Sequence, residues 1–479
     1  GAGSGGEAGQ EAGAAGAGGT AGSDASAGGS DAGLQDVSQE PDAVDPPADA
    51  PPGCQPVNAA APADPWKTRL PSKGFGGITP PSSGAHSDVF LSSPAPSQDL
   101  LRIGARLDWG GSIVFFGLSA NPTSNVIDAN DTGRELQIAL YDPTRIMQNC
   151  AWNASCQTTP STCASSITYL GWNPVQGGDE CGHGSTAEWQ QVGDSLRIIT
   201  HPLQWNPDWD KQDCTQSPCG ASGVPVAVTY VTDLTFVSTH VVEVAMELQS
   251  QEGFSHPVTG QEFPTLYVEH GQSGPDLSAL FDSAGTQVAL TTPANDGFFV
   301  GNFDSPGPWV TWQKPAKDYG VGLAMDQGIR KWQGWRGDGN AAPYFHNVRA
   351  RIEFGLPSNK VVRGVSYLAL GSFATVKGEL EGALSKRPPF GVLDSPAAGG
   401  AVSVTKGSAV PISGWVLDTG KVEKVALRVD GQLVSELPVN GARPDVCEVY
   451  PAYAGCPNVG YAGALQTAGW DDCPHLVRV

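Results

Sequence analysis

The chain has 479 residues, with 27 lysines and arginines against 49 aspartates and glutamates, so its formal net charge at pH 7 is −22. This charge excludes the basic footprint that binding to nucleic acid or to an anionic membrane requires. No apolar run approaches the roughly 18 residues of a transmembrane helix, and the length allows two or three domains.

The first segment, residues 1–52, consists almost wholly of Gly, Ala, Ser, Asp, Glu, Gln and Pro. It holds nine acidic residues and no aromatic residue, lysine or arginine. Such a composition cannot bury enough apolar surface to offset the entropy lost on ordering the chain. We therefore predict a disordered tether.

Residues 53–378 read as a succession of short strands separated by Gly, Pro, Asn and Asp clusters. Alternation of apolar and polar residues, rich in β-branched and aromatic types, is typical of β-strands. The predicted strands include "LRIGARLDW", "SIVFFGL", "ELQIALY", "SLRIIT", "VAVTYVTDLTFV", "HVVEVAMEL", "FPTLYVE", "YGVGLAM", "VRARIEFGL" and "VVRGVSYLALGSF". We predict no long amphipathic helix, and an all-β domain of this size favours a large sandwich of several sheets.

Residues 379–392 are predicted to be a linker, and residues 393–479 a second, smaller β unit. Ten cysteines divide between the two regions, seven in the first and three in the second. Because both numbers are odd, either one disulfide joins the regions or one thiol is free. The turn-rich surroundings favour disulfides of an exported protein over zinc knuckles, so we expect no metal and no cofactor.

Four residues are candidates for acid–base catalysis. Glu243 and Glu247 alternate with apolar residues in "HVVEVAMEL", but about 13 Å of strand separates them, which is too far for a glycosidase pair of their own. The alternative to a catalytic role is that Glu243 and Glu247 lie on an exposed face of a sheet.

Glu269 and His270 follow a predicted strand, where a histidine beside a carboxylate can exchange protons near neutral pH. A surface or capping histidine is the alternative.

Several polar residues are candidates for binding a sugar. Arg134 and Gln137 in "DTGRELQ" suit hydroxyl groups, or else form a turn that leads into a strand. Arg349 and Arg351 share a predicted face with a glutamate, which suits a uronate carboxylate, vicinal hydroxyls or a ladder of cross-strand ion pairs. In "GWNPVQGGDECGHGS" a disulfide explains the cysteine, which leaves three polar candidates, Asn173, Gln176 and Asp179.

The tryptophans carry a further signal. Two W-x-x-W pairs lie in stretches rich in Gly, Pro and Asp that we predict to be loops, where indoles stack on the apolar face of pyranose rings. A large sandwich also uses tryptophan in its core, so both interpretations stay open. The four residues are Trp309, Trp312, Trp332 and Trp335.

Four stretches of the first region together resemble one known family. "LDWGGSIVFFGL" and "NVIDANDTGRELQIALYD", followed by "GWNPVQGGD" and "PWVTWQKPAKDYGVGLAM", resemble exported bacterial proteins with a galactose-mutarotase-like β-supersandwich. This fold is shared by aldose epimerases, polysaccharide lyases and glycoside hydrolase domains. The resemblance implies that fold and a carbohydrate partner. The paired histidines and the late glutamate of aldose epimerases do not align here, so the resemblance does not imply simple mutarotase activity.

The two ends of the chain resemble other modules. "ISGWVLD", "VEKVALRVDGQLV" and "ARPDV" resemble the immunoglobulin-like modules of secreted bacterial enzymes and surface proteins. Residues 1–52 resemble the spacer behind the lipidated cysteine of bacterial lipoproteins. These resemblances imply an extracellular or cell-surface location and a lipid anchor upstream of residue 1.

We expect a carbohydrate-active protein that acts on an extracellular polysaccharide or oligosaccharide as a lyase or glycosidase. In that hypothesis the four carboxylate and histidine candidates supply the acid–base groups, and the arginines bind the substrate. The alternative is a carbohydrate-binding surface protein or adhesin without catalysis, in which tryptophans and amides make the contacts.

Overall fold

The computed structural model describes residues 54, 66–67, 69–95, 100–130, 135–142, 168–170, 175–177, 184–204, 225–293, 298–337 and 345–479. The tether predicted for residues 1–52 lies outside this range. No helix in the described part of the chain is both long and apolar enough to cross a lipid bilayer.

Strands dominate the described residues. The first thirteen strands are β1 (Gly77–Thr79), β2 (Asp88–Ser92), β3 (Leu101–Arg106), β4 (Ser112–Leu118), β5 (Leu136–Tyr141), β6 (Thr168–Leu170), β7 (Thr186–Val192), β8 (Ser195–His201), β9 (Val228–Phe236), β10 (Val241–Ser250), β11 (His256–Val268), β12 (Ala279–Asp282) and β13 (Thr292–Pro293). The others are β14 (Phe298–Asp304), β15 (Trp309–Gln313), β16 (Gly320–Met325), β17 (Lys331–Gly337), β18 (His346–Ala350), β19 (Ile352–Leu356), β20 (Val361–Gly371), β21 (Phe390–Ser395), β22 (Ala409–Leu417), β23 (Lys424–Val429), β24 (Gln432–Gly441), β25 (Gly460–Gln466) and β26 (Val477–Arg478). The α-helices of the described residues are Phe373–Lys386 and Pro444–Val449.

The strands form three antiparallel sheets. The first sheet has the order β1-β2-β3-β4-β5-β11-β18-β17-β14-β13, with β19 also paired to β11 and β6 to β5. The second sheet has the order β12-β15-β16-β20-β10-β9-β8-β7. The third sheet, near the C-terminus, has the order β21-β22-β25-β24-β23-β26. The predicted all-β class is therefore confirmed.

The main core lies between the first and second sheets. Alternate residues of β10, Val242 and Val244, pack in one apolar cluster with Leu266 and Val348 of the first sheet. This is the arrangement of a sandwich, in which the inner residues of two sheets interdigitate. A smaller, separate apolar cluster is formed by residues of the third sheet.

The second sheet is covered on its other face as well. Val241 and Ala245 of β10 pack in a second cluster with Val376 and Leu380 of the longer helix and with Trp415 of the third sheet. Glu243 lies in this covered layer and is buried. The alternative interpretation of an exposed sheet face around Glu243 is therefore wrong.

The predicted strands are confirmed, and most of the residues predicted to be a linker form the end of a helix and the beginning of a strand. Ser372 begins the helix Phe373–Lys386, its side chain accepting a hydrogen bond from the Thr375 amide as an N-cap. This helix covers most of the predicted linker 379–392, and β21 takes its last residues. Val376 and Leu380, four residues apart, bury one face of the helix on the second sheet, a pattern that the sequence analysis missed.

Two disulfides join cysteines of the described residues. Cys447 pairs with Cys456 inside the C-terminal unit, and Cys54 pairs with Cys473 across 419 residues. The second bond joins the two regions, which confirms one of the two alternatives derived from the odd cysteine counts. The other six cysteines lie outside the described residues.

A buried histidine makes the stability of the fold depend on pH. His256 contacts Asp142 through Nδ1 and Glu252 through Nε2, each at 2.8 Å. Burial by itself lowers the pKa of His256, but the hydrogen bonds and charges of the two carboxylates outweigh burial and raise this pKa above its ordinary value. The stabilisation is thus complete below the ordinary pKa of about 6.5 and is lost as the pH rises through the raised folded-state pKa.

We expect the free-energy difference of unfolding between the wild type and His256→Gln to be larger at pH 6 than at pH 9. Urea unfolding at both values measures this difference. His86→Gln serves as the control, because His86 is an exposed histidine paired to Asp108. Equal differences at the two pH values would contradict the assignment.

Candidate functional site

The candidate site lies on the outer face of the first sheet, which points away from the core. Strand alternation sends Leu136, Leu266, Val348 and Trp332 inward to the core, so that their neighbours in sequence point outward. Five outward residues oppose one another directly across β5, β11, β18, β17 and β14. This polar row consists of Gln137, Thr265, Arg349, Gln333 and Asn302.

Every member of the polar row can form hydrogen bonds. With strands spaced about 4.8 Å apart, the row extends over about 19 Å. Arg349 donates from Nε to Gln333 Oε1 at 3.0 Å, and Gln333 donates from Nε2 to Asn302 Oδ1 at 3.1 Å. Hydrogen bonds therefore connect the row across β18, β17 and β14, while Gln137 and Thr265 extend it in register across β5 and β11.

A buried carboxylate anchors the strip. Glu262 of β11 forms an ion pair with Arg349 and accepts a hydrogen bond from the Tyr141 hydroxyl at 2.8 Å. Burial lowers the pKa of Arg349, but the charge of Glu262 outweighs it and raises this pKa above its ordinary value. Burial, followed by the charge of Glu262, raises the pKa of Tyr141. At neutral pH the guanidinium is charged and the phenol is protonated.

Three buried oxygens beside this anchor lack hydrogen-bond partners among the described residues. They are Glu262 Oε2, Thr265 Oγ1 and Asn347 Oδ1. The carboxylate and amide oxygens only accept hydrogen bonds, whereas the threonine hydroxyl also donates. A buried polar atom without a partner costs about 1–3 kcal/mol, so this cluster concentrates unsatisfied acceptors beside Arg349.

An aromatic patch adjoins the polar row. Tyr267, Asn347 and Trp335 oppose one another in the neighbouring row. The ring centroid of Phe345 lies 5.2 Å from that of Tyr267 and 4.5 Å from that of Phe298, and Phe298 lies 6.2 Å from Trp335. Trp335, Phe298 and Phe345 are each partly exposed. Partly exposed rings beside polar groups suit the two sides of a sugar ring.

The structure brings together three of the residues predicted to bind a ligand. Gln137 and Arg349 flank Thr265 in the polar row, and Trp335 lies in the adjoining patch. Arg351 is exposed and falls between β18 and β19, beyond the row. The remaining candidates Arg134, Asn173 and Asp179 lie outside the described residues.

None of the four tryptophans lies in a loop, and three of them are buried. Both W-x-x-W pairs are in strands instead of loops, and residues three apart in a strand point to opposite faces. Trp312 and Trp332 therefore fill the main core, and Trp309 fills the second cluster, all with no exposed surface. The prediction that these three stack on a sugar at loop rims is wrong, whereas Trp335 remains a candidate.

The predicted acid–base residues do not assemble into one site. Glu243 and Glu247 lie on β10 of the second sheet, where Glu243 accepts a hydrogen bond from the Tyr367 hydroxyl at 3.2 Å and Glu247 pairs with Arg363. Glu269 and His270 instead follow β11 of the first sheet. The two pairs therefore belong to different sheets.

Glu269 stabilises a turn. Its carboxylate accepts hydrogen bonds from the amides of Gln272 and Ser273, the Ser273 hydroxyl and the Asn130 side chain. Burial raises the pKa of Glu269, but these hydrogen bonds outweigh it and hold the pKa below its ordinary value. An ionised carboxylate with four donors is a poor general acid.

His270 lies on the inner side of the sheet. Its Nε2 is 3.7 Å from Asp128 Oδ2, and its ring centroid is 5.8 Å from that of His346. His346 stacks on the core residue Trp312 at 5.3 Å. Burial, followed by the charge of His270, lowers the pKa of His346 to about 4. His270 thus faces the core and not the polar row.

Gln176 has a structural environment. Its buried amide accepts from the Ile138 backbone at 3.2 Å and donates to the Gly110 carbonyl at 2.8 Å. Both ends of the side chain are bonded to backbone, which accounts for a buried glutamine without a ligand. Within the described residues no group of three His, Cys, Asp or Glu side chains is arranged to hold a metal ion.

Most residues of this site were not predicted from the sequence. They are Tyr141, Glu262, Thr265, Tyr267, Phe298, Asn302, Gln333, Phe345 and Asn347. Alternation in "HNVRA" places Asn347 beside Arg349 on one face, so this signal was present. The pairing of β11 with both β5 and β18 carries no local signal.

No protein-family model matches the chain, and no curated protein matches it. Among solved structures, a putative aldose 1-epimerase from Escherichia coli K12 is similar over 62% of this chain and 100% of its own, at 11% identity and a TM-score of 0.34. A putative aldose 1-epimerase from Klebsiella pneumoniae is similar over 66% of this chain and 92% of its own, at 11% identity and a TM-score of 0.36. A mutant heparan sulfate lyase from Pedobacter heparinus is similar over 70% of this chain and 40% of its own, at 7% identity and a TM-score of 0.29. These proteins belong to the classes that the sequence resemblance names, and their similarity assigns no activity to this chain.

Proposed function

We propose that the protein binds a carbohydrate chain on the outer face of the first sheet and does not cleave it. The observation that carries this proposal is the polar row across five strands beside a partly exposed aromatic patch. A sugar ring presents hydroxyls at its edge and an apolar face of C–H groups. Arg349, Gln333 and Asn302, the members of the row that are not buried, supply donors and acceptors for the edge, and Trp335 supplies a flat surface for the face.

Binding without cleavage agrees with the positions of the acidic residues. Glycosidases hold two carboxyl groups about 5–10 Å apart across the scissile bond. The glutamates predicted to be catalytic do not lie together: Glu243 and Glu247 are in β10 of the second sheet, and Glu269 follows β11 of the first sheet. Glu262, the carboxylate that anchors the polar row, already holds Arg349 and Tyr141.

The proposal includes a location outside the cell. Two disulfides support this location, because such bonds persist in oxidising compartments. Residues 1–52 then act as a spacer from a lipid anchor, and the C-terminal β unit acts as an immunoglobulin-like module that presents the first two sheets. A cell-surface adhesin is the corresponding biological role.

A glycan panel tests this function. We expect the full chain to bind one or more polysaccharides or oligosaccharides, with neither new reducing ends nor absorbance of unsaturated uronates after long incubation. Trp335→Ala should weaken that binding about tenfold or more, since losing a stacked ring costs about 1.4 kcal/mol. Isothermal titration measures both affinities.

Trp470→Ala is the matched control, because Trp470 is a partly exposed tryptophan of the C-terminal unit. It should leave the affinity unchanged. Binding that is insensitive to Trp335→Ala, or no binding across the panel, would refute the site. Release of products would show that the protein is an enzyme.

A further inference from the structure

We infer that the glycan held by the polar row is uncharged, and that the site discriminates against uronic acids. This inference rests on the proposed function and specifies its substrate class. The sequence analysis left two roles open for Arg349, namely pairing with a uronate carboxylate and hydrogen bonding to hydroxyls. The contacts of Arg349 decide between these roles.

Arg349 is already paired. Its Nη1 forms an ion pair with Glu262, and its Nε donates to Gln333. Its side chain is only 27% exposed and that of Glu262 only 4%. Recognition of a carboxylate by arginine is strongest with two parallel N–H donors on a guanidinium whose charge is not already neutralised. Arg349 therefore retains donors for a neutral oxygen and has no excess charge for an anion.

The partnerless oxygens point to the same ligand chemistry. Glu262 Oε2, Thr265 Oγ1 and Asn347 Oδ1 have no hydrogen-bond partner among the described residues and almost no exposed surface, so next to Arg349 they form a group of acceptors whose negative potential no donor offsets. A ligand carboxylate brings no donor and would face the Glu262 carboxylate. Two like charges in a partly buried site repel each other more strongly than in water.

The overall charge acts in the same direction at longer range. The nine acidic residues of 1–52 account for less than half of the net charge of −22, so the folded part is itself strongly acidic. A polyanionic glycan would be repelled during approach, and salt would screen this repulsion. A neutral glycan would bind with little dependence on salt.

Matched glycan pairs test the inference on the full chain. Uronate-containing polysaccharides such as pectate, alginate and hyaluronan are compared with their carboxyl-reduced forms, next to neutral glucans, galactans, mannans and xylans. We expect the bound glycan to be neutral, and any bound carboxyl-reduced polymer to bind at least tenfold more tightly than its acidic parent. Salt at 0.5 M should reduce the difference in affinity between the acidic and the reduced polymer. It should change the affinity for a neutral glycan by no more than about twofold.

Glu262→Gln provides a second test. The variant keeps the shape of the side chain and frees the charge of Arg349, so it should raise the affinity for the acidic form relative to the neutral form by about tenfold. Glu353→Gln is the control, because Glu353 is an exposed glutamate of the same sheet. The wild-type pairs and their salt dependence need no variant, so the test stands even if Glu262→Gln fails to fold.

The outcomes separate the two proposals. Absence of binding to every neutral and acidic glycan would overturn the proposed function. Tight binding of an acidic glycan in preference to its reduced form would overturn the inference and leave the carbohydrate site in place. Both proposals would be supported if the wild type prefers neutral glycans, Glu262→Gln weakens this preference and Glu353→Gln leaves it unchanged.

Discussion

Replacing Asp326 with asparagine should lower the free energy of unfolding by about 3–5 kcal/mol, because it removes the negative partner of two buried arginines. Asp326 has no exposed surface and forms ion pairs with Arg69 and Arg387. It also accepts hydrogen bonds from the hydroxyls of Tyr453 and Tyr367. Chemical denaturation followed by tryptophan fluorescence measures the loss.

Asp326 has this effect because its partners come from different parts of the chain. Arg69 precedes the first strand, Arg387 follows the long helix, and Tyr453 belongs to the C-terminal unit. Burial lowers the pKa of Arg387, but the charge of Asp326 outweighs it and raises this pKa. Without this carboxylate we expect faster amide exchange in residues 444–459, which cover the second sheet.

Asp394→Asn is the control, since Asp394 pairs with Arg443 at 2.6 Å on the surface and Arg443 also holds Asp445. Exposed pairs contribute about 0–1 kcal/mol, so this variant should be close to wild type. Equal stabilities of the two variants would show that Asp326 does not connect the layers.

Trp312→Ala should destabilise the protein by about 3–5 kcal/mol, the usual cost of removing a large core aromatic residue. Trp312 is fully buried in β15, packs in the main core and stacks on His346 at 5.3 Å with an interplanar angle of 13°. Denaturation curves of the purified variant measure the loss. A folded, stable variant that had lost glycan binding would instead support the original loop-rim interpretation.

Trp335→Ala is the matched comparison, because Trp335 belongs to the other W-x-x-W pair and is partly exposed. We expect its loss of stability to be about 1 kcal/mol or less, with the larger effect on glycan affinity. The two variants thus separate a tryptophan of the core from a tryptophan of the site.

The difference between core tryptophans and the tryptophan of the site could be read from the alternation of the sequence. Once "WVTWQ" and "KWQGWRG" are taken as strands, residues three apart must point to opposite faces. The neighbouring Gly, Pro and Asp residues favoured loops, and that choice placed Trp309, Trp312 and Trp332 wrongly. Alternation predicts the strands here better than local composition does, because only a few residues separate consecutive strands from β14 to β17.

The sequence by itself determined the all-β class, the strands, the inward and outward alternation along each strand, and the alternatives of a disulfide between the regions or a free thiol. Only the tertiary structure decided which strands are neighbours, and with them the site. Gln137, Arg349 and Asn302 are far apart in the chain and lie in one row because β5, β11, β18, β17 and β14 pair in one register. That register follows from burying apolar residues between two sheets, since a slip by one residue would turn every inward side chain outward. The second apolar layer, which buries Glu243, likewise depends on contacts between distant segments, and the spacing of Val376 and Leu380 is a local sign of only one of them.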